Sequence, residues 1–402
     1  MLLLKKILQQ YRFSFLLFFI APLTCFILFS CNTQKQKNVP GENSPVQKIT
    51  LPPPGKITAA ENKQLAQACQ LWYDSMLQPS VFNGGMLVAK KGNIIFEKYK
   101  GSNPLGGPTS VDSNTSFHIA SVSKTFTAMC VLKLWEDSLI NIDDEYSKYF
   151  PSFNYPGITI RTLLNHRSGL PNYLYFMEKL GYKDSAAINN GQVLGVLISH
   201  KNSLENIGTP GKHFSYCNTN YALLALLIEK ISRKPYPQFV KRIIFDPLNM
   251  QHSFVFTPAD SNRTTPNYDW KGGRNADNFL DHVYGDKNIY STPRDLLIWD
   301  RALASGLMFS KETMEAAFAA YSNERPGIKN YGLGWRMNMY PNGKKVIFHN
   351  GWWHGNNAAF IRLTDQDATI IVLGNRYCRA IYKAYQLVNS FSNYFEVLEI
   401  EE

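Results

Sequence analysis

The spacing of apolar positions changes several times along the chain, and each change predicts an element. Leu65, Cys69, Trp72 and Met76 keep helical spacing beside a polar face of Glu61, Lys63, Gln67 and Asp74, so a packed helix is expected over residues 60–76. Residues 85–89 and 94–100 are short runs suited to strands, and the turn sequence Lys90-Lys91-Gly92-Asn93 joins them as a hairpin. Val122, Phe126, Met129 and Cys130 then follow one side of a helix that starts near Ser121. From there to about residue 246 the pattern is helical, broken by Gly, Pro and Asn loops. It includes a helix over 219–232 whose run Leu223-Leu224-Ala225-Leu226-Leu227-Ile228 predicts burial. Strand character returns at 345–348, 358–363 and 369–373, the last two joined at Asp365-Gln366-Asp367. Ile381, Ala384, Val388 and Phe391 close the chain with a helix.

Strands therefore lie near both ends with helices between. The fold this predicts is α+β: an antiparallel sheet built from N- and C-terminal segments, flanked by helices, carrying a mostly helical inserted lobe.

The first thirty residues stand apart. Lys5, Lys6 and Arg12 precede an almost wholly apolar stretch over 13–29, so residues 1–31 are expected to be an export segment. The stretch is longer than a usual signal core and slightly short for a spanning helix. Cleavage and an uncleaved anchor both fit, and both place the rest outside the cytoplasm. Leu28-Phe29-Ser30-Cys31 resembles a bacterial lipobox, which implies lipidation of Cys31 and a membrane-anchored lipoprotein facing the periplasm or cell exterior. Residues 32–58, rich in Pro, Lys and Gln, read as a flexible tether, and 59–402 as the folded domain.

With 45% apolar residues in 402, the chain can bury a large core, which excludes a disordered protein. Its net charge is +11; the first thirty residues hold three basic and no acidic groups, so the remainder carries +8, dispersed. Without Lys/Arg blocks interleaved with aromatics, no nucleic acid partner is expected, and the surplus favours an anionic membrane or cell wall. Beyond Cys25 and Cys31, the cysteines Cys69, Cys130, Cys217 and Cys378 stand singly, with Cys69 and Cys130 on apolar helix faces as buried thiols. His349 and His354 do not form H-E-x-x-H, so zinc hydrolysis lacks its ligands; no metal and no cofactor is expected.

Ser121-Val122-Ser123-Lys124 places a hydroxyl and an amine three residues apart, on one face of a helix. A serine hydroxyl is a weak nucleophile and needs a base, which a desolvated lysine can supply. Tyr216-Cys217-Asn218 puts a phenol and an amide in a loop before the buried helix, where the phenol can relay a proton and Asn218 can orient a substrate carbonyl or hold Lys124. His349-Asn350-Gly351 ends a strand, its glycine permitting close approach of a substrate backbone. Trp352 and Trp353 follow it and can roof a pocket.

In the order S-x-x-K, Y-x-N, H-x-G, the chain resembles the serine β-lactamase and penicillin-binding protein superfamily, in its class C-like branch. Further blocks carry the resemblance: Asn114-Thr115-Ser116-Phe117-His118-Ile119-Ala120, Leu163-Leu164-Asn165-His166-Arg167-Ser168-Gly169-Leu170-Pro171, Phe245-Asp246-Pro247-Leu248-Asn249-Met250, Ile289-Tyr290-Ser291-Thr292-Pro293-Arg294-Asp295-Leu296 and Tyr331-Gly332-Leu333-Gly334-Trp335. The resemblance implies that Ser121 is acylated, Lys124 is its base, and Tyr216 shuttles the proton to the leaving group. It also implies that Asn218 binds a substrate amide, and that the N–H groups of Ser121 and Trp352 form an oxyanion hole. His349 takes the place where many β-lactamases carry lysine, and members with H-x-G are more often D-amino-acid-directed peptidases or esterases. Cys217 departs from the family's common serine, and His166 lies in a block that forms a structural turn near the site.

The function expected is an exported serine hydrolase acting on an amide or ester of D-amino-acid, cell-wall-peptide or ester type. The alternatives are a weak β-lactamase and a non-catalytic cell-wall sensor. Specificity falls to residues 173–206 and 254–287, which carry no readable code, and the oligomeric state stays open.

Overall fold

The computed structural model describes residues 45–102, 110–184, 187–204 and 208–395. The export segment and Cys31 lie outside the described residues. Residues 45–58 form neither helix nor strand, but they run along the body: Ile49 N–H bonds to Pro247 O at 2.9 Å and Gly55 N–H to Lys91 O at 2.8 Å.

Helix α1 (Ala59–Met76) is capped by Thr58, whose hydroxyl accepts from Glu61 N–H, and buries Leu65, Cys69 and Trp72. The predicted hairpin follows as β1 (Gly84–Lys90) and β2 (Asn93–Lys100), with Lys91 and Gly92 both at positive φ, as a tight two-residue turn requires. Three short strands, β3 (Phe117–His118), β4 (Phe254–Val255) and β5 (Ile289–Ser291), make a small second sheet. The C-terminal part supplies β6 (Lys329–Tyr331), β7 (Arg336–Met339), β8 (Lys345–Trp353), β9 (Asn356–Leu363) and β10 (Ala368–Gly374). The main sheet is antiparallel, in the order β2-β1-β10-β9-β8-β7-β6, and β1 pairs with β10 from Gly84 opposite Gly374 to Lys90 opposite Ala368. The expected sheet from both ends of the chain is therefore present.

Strands β1, β9 and β10 are buried at every position, because both faces of the sheet are covered. Met86, Val88, Ala359 and Val372 point into a core under α1 and the closing 3₁₀ helix Arg379–Ser390. Leu87, Ala89, Phe360 and Ile371 point the other way, into the larger core of the helical lobe.

That lobe comprises α2 (Ser123–Glu136), α3 (Ile160–Leu164), α4 (Tyr173–Lys179), α5 (Asn190–Ser199), α6 (Asn218–Ser232) and α7 (Tyr236–Val240). Helix α2 corrects the one-sided expectation, since every residue from Ser123 to Leu132 is buried. It is a central helix, and its polar side chains are bonded: Thr125 to Val122 O at 2.8 Å, Thr127 to Gly285 O at 2.6 Å, and Ser123 Oγ accepting from Ile289 N–H at 3.1 Å. All four cysteines of the described residues are buried and unpaired.

Candidate active site

Ser121 sits in the single 3₁₀ turn Ala120–Val122 ahead of α2, not in the helix itself. The turn opens on Ala120 at φ +47, a left-handed conformation costly for a residue with a Cβ, and it is held from two sides. His118 Nδ1 accepts the Ala120 N–H at 3.2 Å, while its Nε2–H donates to Asn288 Oδ1 at 3.1 Å. On the other side lies Gly351, where a Cβ would meet Ile119 O at 2.3 Å and Ala120 Cβ at 3.1 Å. The glycine of H-x-G thus admits the backbone beside the serine, which is a different use from the substrate approach expected. Its motif also lies inside β8, which runs on to Trp353, and not at a strand end.

Lys124, one turn further on, is fully buried. Its Nζ lies 2.8 Å from Asn218 Oδ1, 2.7 Å from Asp286 O and 3.0 Å from Ser121 Oγ. The first two oxygens can only accept, so they occupy two N–H groups. The remaining position faces the serine: as an ammonium it donates there, and as a neutral amine it presents a lone pair to the hydroxyl proton. Asn218, the first residue of α6, therefore holds Lys124, one of the two roles read from sequence.

Tyr216 approaches from the other side, with Lys124 Nζ 5.1 Å from its ring centre. His166 fixes this loop: its carbonyl accepts Ser215 N–H at 2.8 Å and its Nδ1 accepts Cys217 N–H at 3.1 Å, while its ring lies 4.3 Å from that of Tyr216. Burial, aided by the charges of Lys124 and Arg336, holds the His166 imidazole neutral, well below its ordinary pKa. Cys217 turns inward, its thiol toward Leu170 O and Pro171 O at 3.4 and 3.5 Å, and burial pushes its pKa up.

His349 is buried as well. Its Nδ1 lies 2.8 Å from the carbonyl of Asn350 and so carries the proton, leaving Nε2 to accept from Tyr331 OH at 3.3 Å. Burial first, then Arg336 and Lys124, lower its pKa well below the ordinary value, so it faces the site uncharged. Strand alternation splits the tryptophans. Trp353 faces the site, donating to Asp281 Oδ1 at 2.7 Å under Lys287, whereas Trp352 is 64% exposed and leans on Tyr377. Of the pair expected to roof a pocket, only Trp353 lies on that side.

Sequence reasoning missed Asp286, Lys287 and Arg336. Asp286 gives its carbonyl to Lys124 and its carboxylate to Tyr173 OH at 3.0 Å. Buried Lys287 donates to Val283 O at 3.0 Å and to Tyr173 OH, and burial lowers its pKa. Arg336 lies 4.9 Å from the Tyr216 ring centre. Neither periodicity nor a motif marks these positions. Among the described residues no group of three metal-ligating side chains occurs.

A serine on a held turn, a buried lysine against it and a tyrosine across the gap define a hydrolase of the acyl-transfer class. The comparisons agree. The sequence model of the beta-lactamase family matches residues 74–380, and the chain belongs to that family. It is 30% identical over 336 residues to penicillin-binding protein 4* of Bacillus subtilis, covering 78% of this chain and 74% of that protein. Among solved structures, a penicillin-binding protein from Bacillus halodurans superposes with a TM-score of 0.68 at 22% identity, over 81% of this chain and 98% of the other. A D-amino acid amidase from Ochrobactrum anthropi superposes at 0.64 with 20% identity, over 82% and 99%. The chain is a serine hydrolase of the β-lactamase and penicillin-binding protein type.

Proposed function

We propose that this protein is an exported hydrolase that forms an acyl-enzyme on Ser121 with amides or esters of D-amino-acid or cell-wall-peptide type. The observation that carries the reading is Lys124 Nζ, tied to Asn218 Oδ1 and Asp286 O and left facing Ser121 Oγ at 3.0 Å. In the forward step Lys124 takes the hydroxyl proton as Oγ bonds the acyl carbon, with the Ser121 and Trp352 N–H groups receiving the oxyanion. Tyr216 gives a proton to the departing amine or alcohol, and water then releases the acyl group by the reverse transfers. An uncharged His349 in the third motif favours peptidase or esterase work over antibiotic hydrolysis, and the amidase fold neighbour supports the D-amino-acid class.

A fluorophosphonate or labelled penicillin should add one mass to Ser121; folded protein without any adduct would favour the cell-wall sensor instead. A panel of D-alanyl peptides, D-amino-acid amides, short acyl esters and a chromogenic cephalosporin ranks the substrates, and fastest turnover of the cephalosporin overturns the assignment made from His349. Export and lipidation rest on residues 1–31, and the mass of the mature N-terminus, diacylated or triacylated at Cys31 against an intact leader, decides between them.

A further inference from the structure

Residues 285–288 belong to no helix or strand, yet Asp286 O is held 2.7 Å from Lys124 Nζ. Tyr173, the first residue of α4, reaches both groups that bind this amine. Its N–H donates to Thr219 Oγ1 at 2.8 Å, beside Asn218, and its hydroxyl donates to Asp286 Oδ2 at 3.0 Å. Lys287 closes the arrangement, donating to the same hydroxyl and to Val283 O at 3.0 Å. Burial first, then the charge of Asp286, push the Tyr173 pKa well up, so the phenol keeps its proton and can donate to the acid while accepting from the amine. The side chains of Lys287 and Asp286 are only 3% and 2% exposed, and Nζ stands 3.6 Å from Asp286 Oδ1, an oxygen buried with no hydrogen bond among the described residues. A buried pair so incompletely bonded recovers little of its desolvation, and apolar residues of similar size would hold the fold as well. What the pair adds is direction: it turns the Asp286 peptide to one orientation.

We propose that Tyr173, Asp286 and Lys287 form a positioning unit that fixes the Asp286 carbonyl relative to Asn218 and thereby sets the distance between Lys124 Nζ and Ser121 Oγ. The inference rests on the acyl-transfer reading above. The three side chains act through Lys124 and not on the reacting atoms. On either side of them the loop is pinned independently, by Thr127 Oγ1 donating to Gly285 O at 2.6 Å and by His118 on Asn288. Removing one member therefore lets the Asp286 peptide turn while the loop stays in place. An amine that has lost one of its acceptors can leave the serine, and a displacement of about 1 Å is enough to cost about 100-fold in rate.

The test is the kinetics of fluorophosphonate labelling of Ser121 in the full-length protein, resolved into a first-order constant and a half-saturating concentration, with each variant measured well below its melting temperature. Tyr173→Phe and Asp286→Ala are each expected to lower the first-order constant about 10- to 100-fold and to leave the half-saturating concentration within about threefold. Lys287→Met should lower it less, by about tenfold, because the bond from Tyr173 to the acid remains. Asp286→Asn, which keeps an acceptor for the phenol, should recover most of the rate that Asp286→Ala loses. Crystal structures of wild type and Tyr173→Phe should show Lys124 Nζ beyond hydrogen-bond reach of Ser121 Oγ, about 3.5 Å, in the variant alone. Should Tyr173→Phe fail to fold, the two Asp286 variants carry both the kinetic and the crystallographic comparison. Unchanged first-order constants in folded variants, an effect confined to the half-saturating concentration, Asp286→Asn no faster than Asp286→Ala, or a variant structure with both Lys124 bonds intact would overturn the proposal. Wild-type protein that takes no label removes the hydrolase reading alone, since the crystal structures still decide whether the unit holds Lys124.

Discussion

The two sides of the cleft are built by different physics. Lys124 is positioned by hydrogen bonds of fixed length, to a helix terminus (Asn218), a loop carbonyl (Asp286) and the serine turn, which take up all three of its N–H positions. Around Tyr216 the contacts are faces: His166, Tyr331, His349 and Arg336 lie 4.3 to 6.3 Å from its ring centre. A hydrogen-bonded group keeps its position only while its partners stay, whereas a ring wedged among rings keeps its position even when its polar tip is changed. The first arrangement fixes a base at one distance from one hydroxyl; the second leaves a phenol and a guanidinium free to meet whatever enters.

Substitutions can break that contrast, beginning with the strongest. Ser121→Ala should lower turnover by about 10⁴-fold or more and abolish the covalent adduct, at an unchanged melting temperature, because the half-buried hydroxyl supports only Lys124. Lys124→Ala should slow acylation by about 100-fold or more and also destabilise the fold by about 1–3 kcal/mol, since Asn218 Oδ1 and Asp286 O lose their donor. Tyr216→Phe should cost a similar factor in rate with no loss of stability, because the ring packing survives. Stopped-flow acylation and thermal melts on the two variants read the contrast directly, and it fails if Tyr216→Phe melts as early as Lys124→Ala. Gly351→Ala should separate β8 from the serine turn, at about 1–3 kcal/mol, since its methyl would lie 2.3 Å from Ile119 O.

The last expected effect is on acid stability and is spread over a pH range. Burial, against the bond to Asn288, lowers the His118 pKa to about 4. Its folded value lies below its unfolded one near 6.5, so the unfolded chain takes up the proton first as pH falls. The contribution is fully present above pH 6.5 and lost progressively toward pH 4, by roughly 3 kcal/mol in all. His166 and His349 act in the same direction. Denaturant midpoints between pH 7 and pH 4 should fall accordingly, and His118→Gln should flatten the slope; a level wild-type profile contradicts the assignment.

What was legible in the sequence follows the same division. Ser121 and Lys124 are three residues apart, so local helical geometry alone brought them together. The strands β1, β9 and β10 announced themselves as apolar runs because they are covered on both faces. The two- and three-residue strands of the small sheet, and β7 with its sequence Arg-Met-Asn-Met, are too short or too polar to carry a period. Asp286, Lys287 and Arg336 reach the site through tertiary approach from loops and an outer strand, which no spacing encodes. Helix α2 looked one-sided because its buried threonines, serine and lysine count as polar in a sequence, although each has a partner in the fold.

The pairing of Gly84 with Gly374 also sets an order of events during folding. The β1–β2 hairpin can form early from neighbours in the chain, but it remains an orphan with an open edge until β10 has been synthesised and delivered. Closure of the main sheet is thus the late, slow contact of this molecule, bridging most of its length, while the helical lobe between can assemble from closer partners. No fragment short of the last strands can close the sheet on which the serine turn rests.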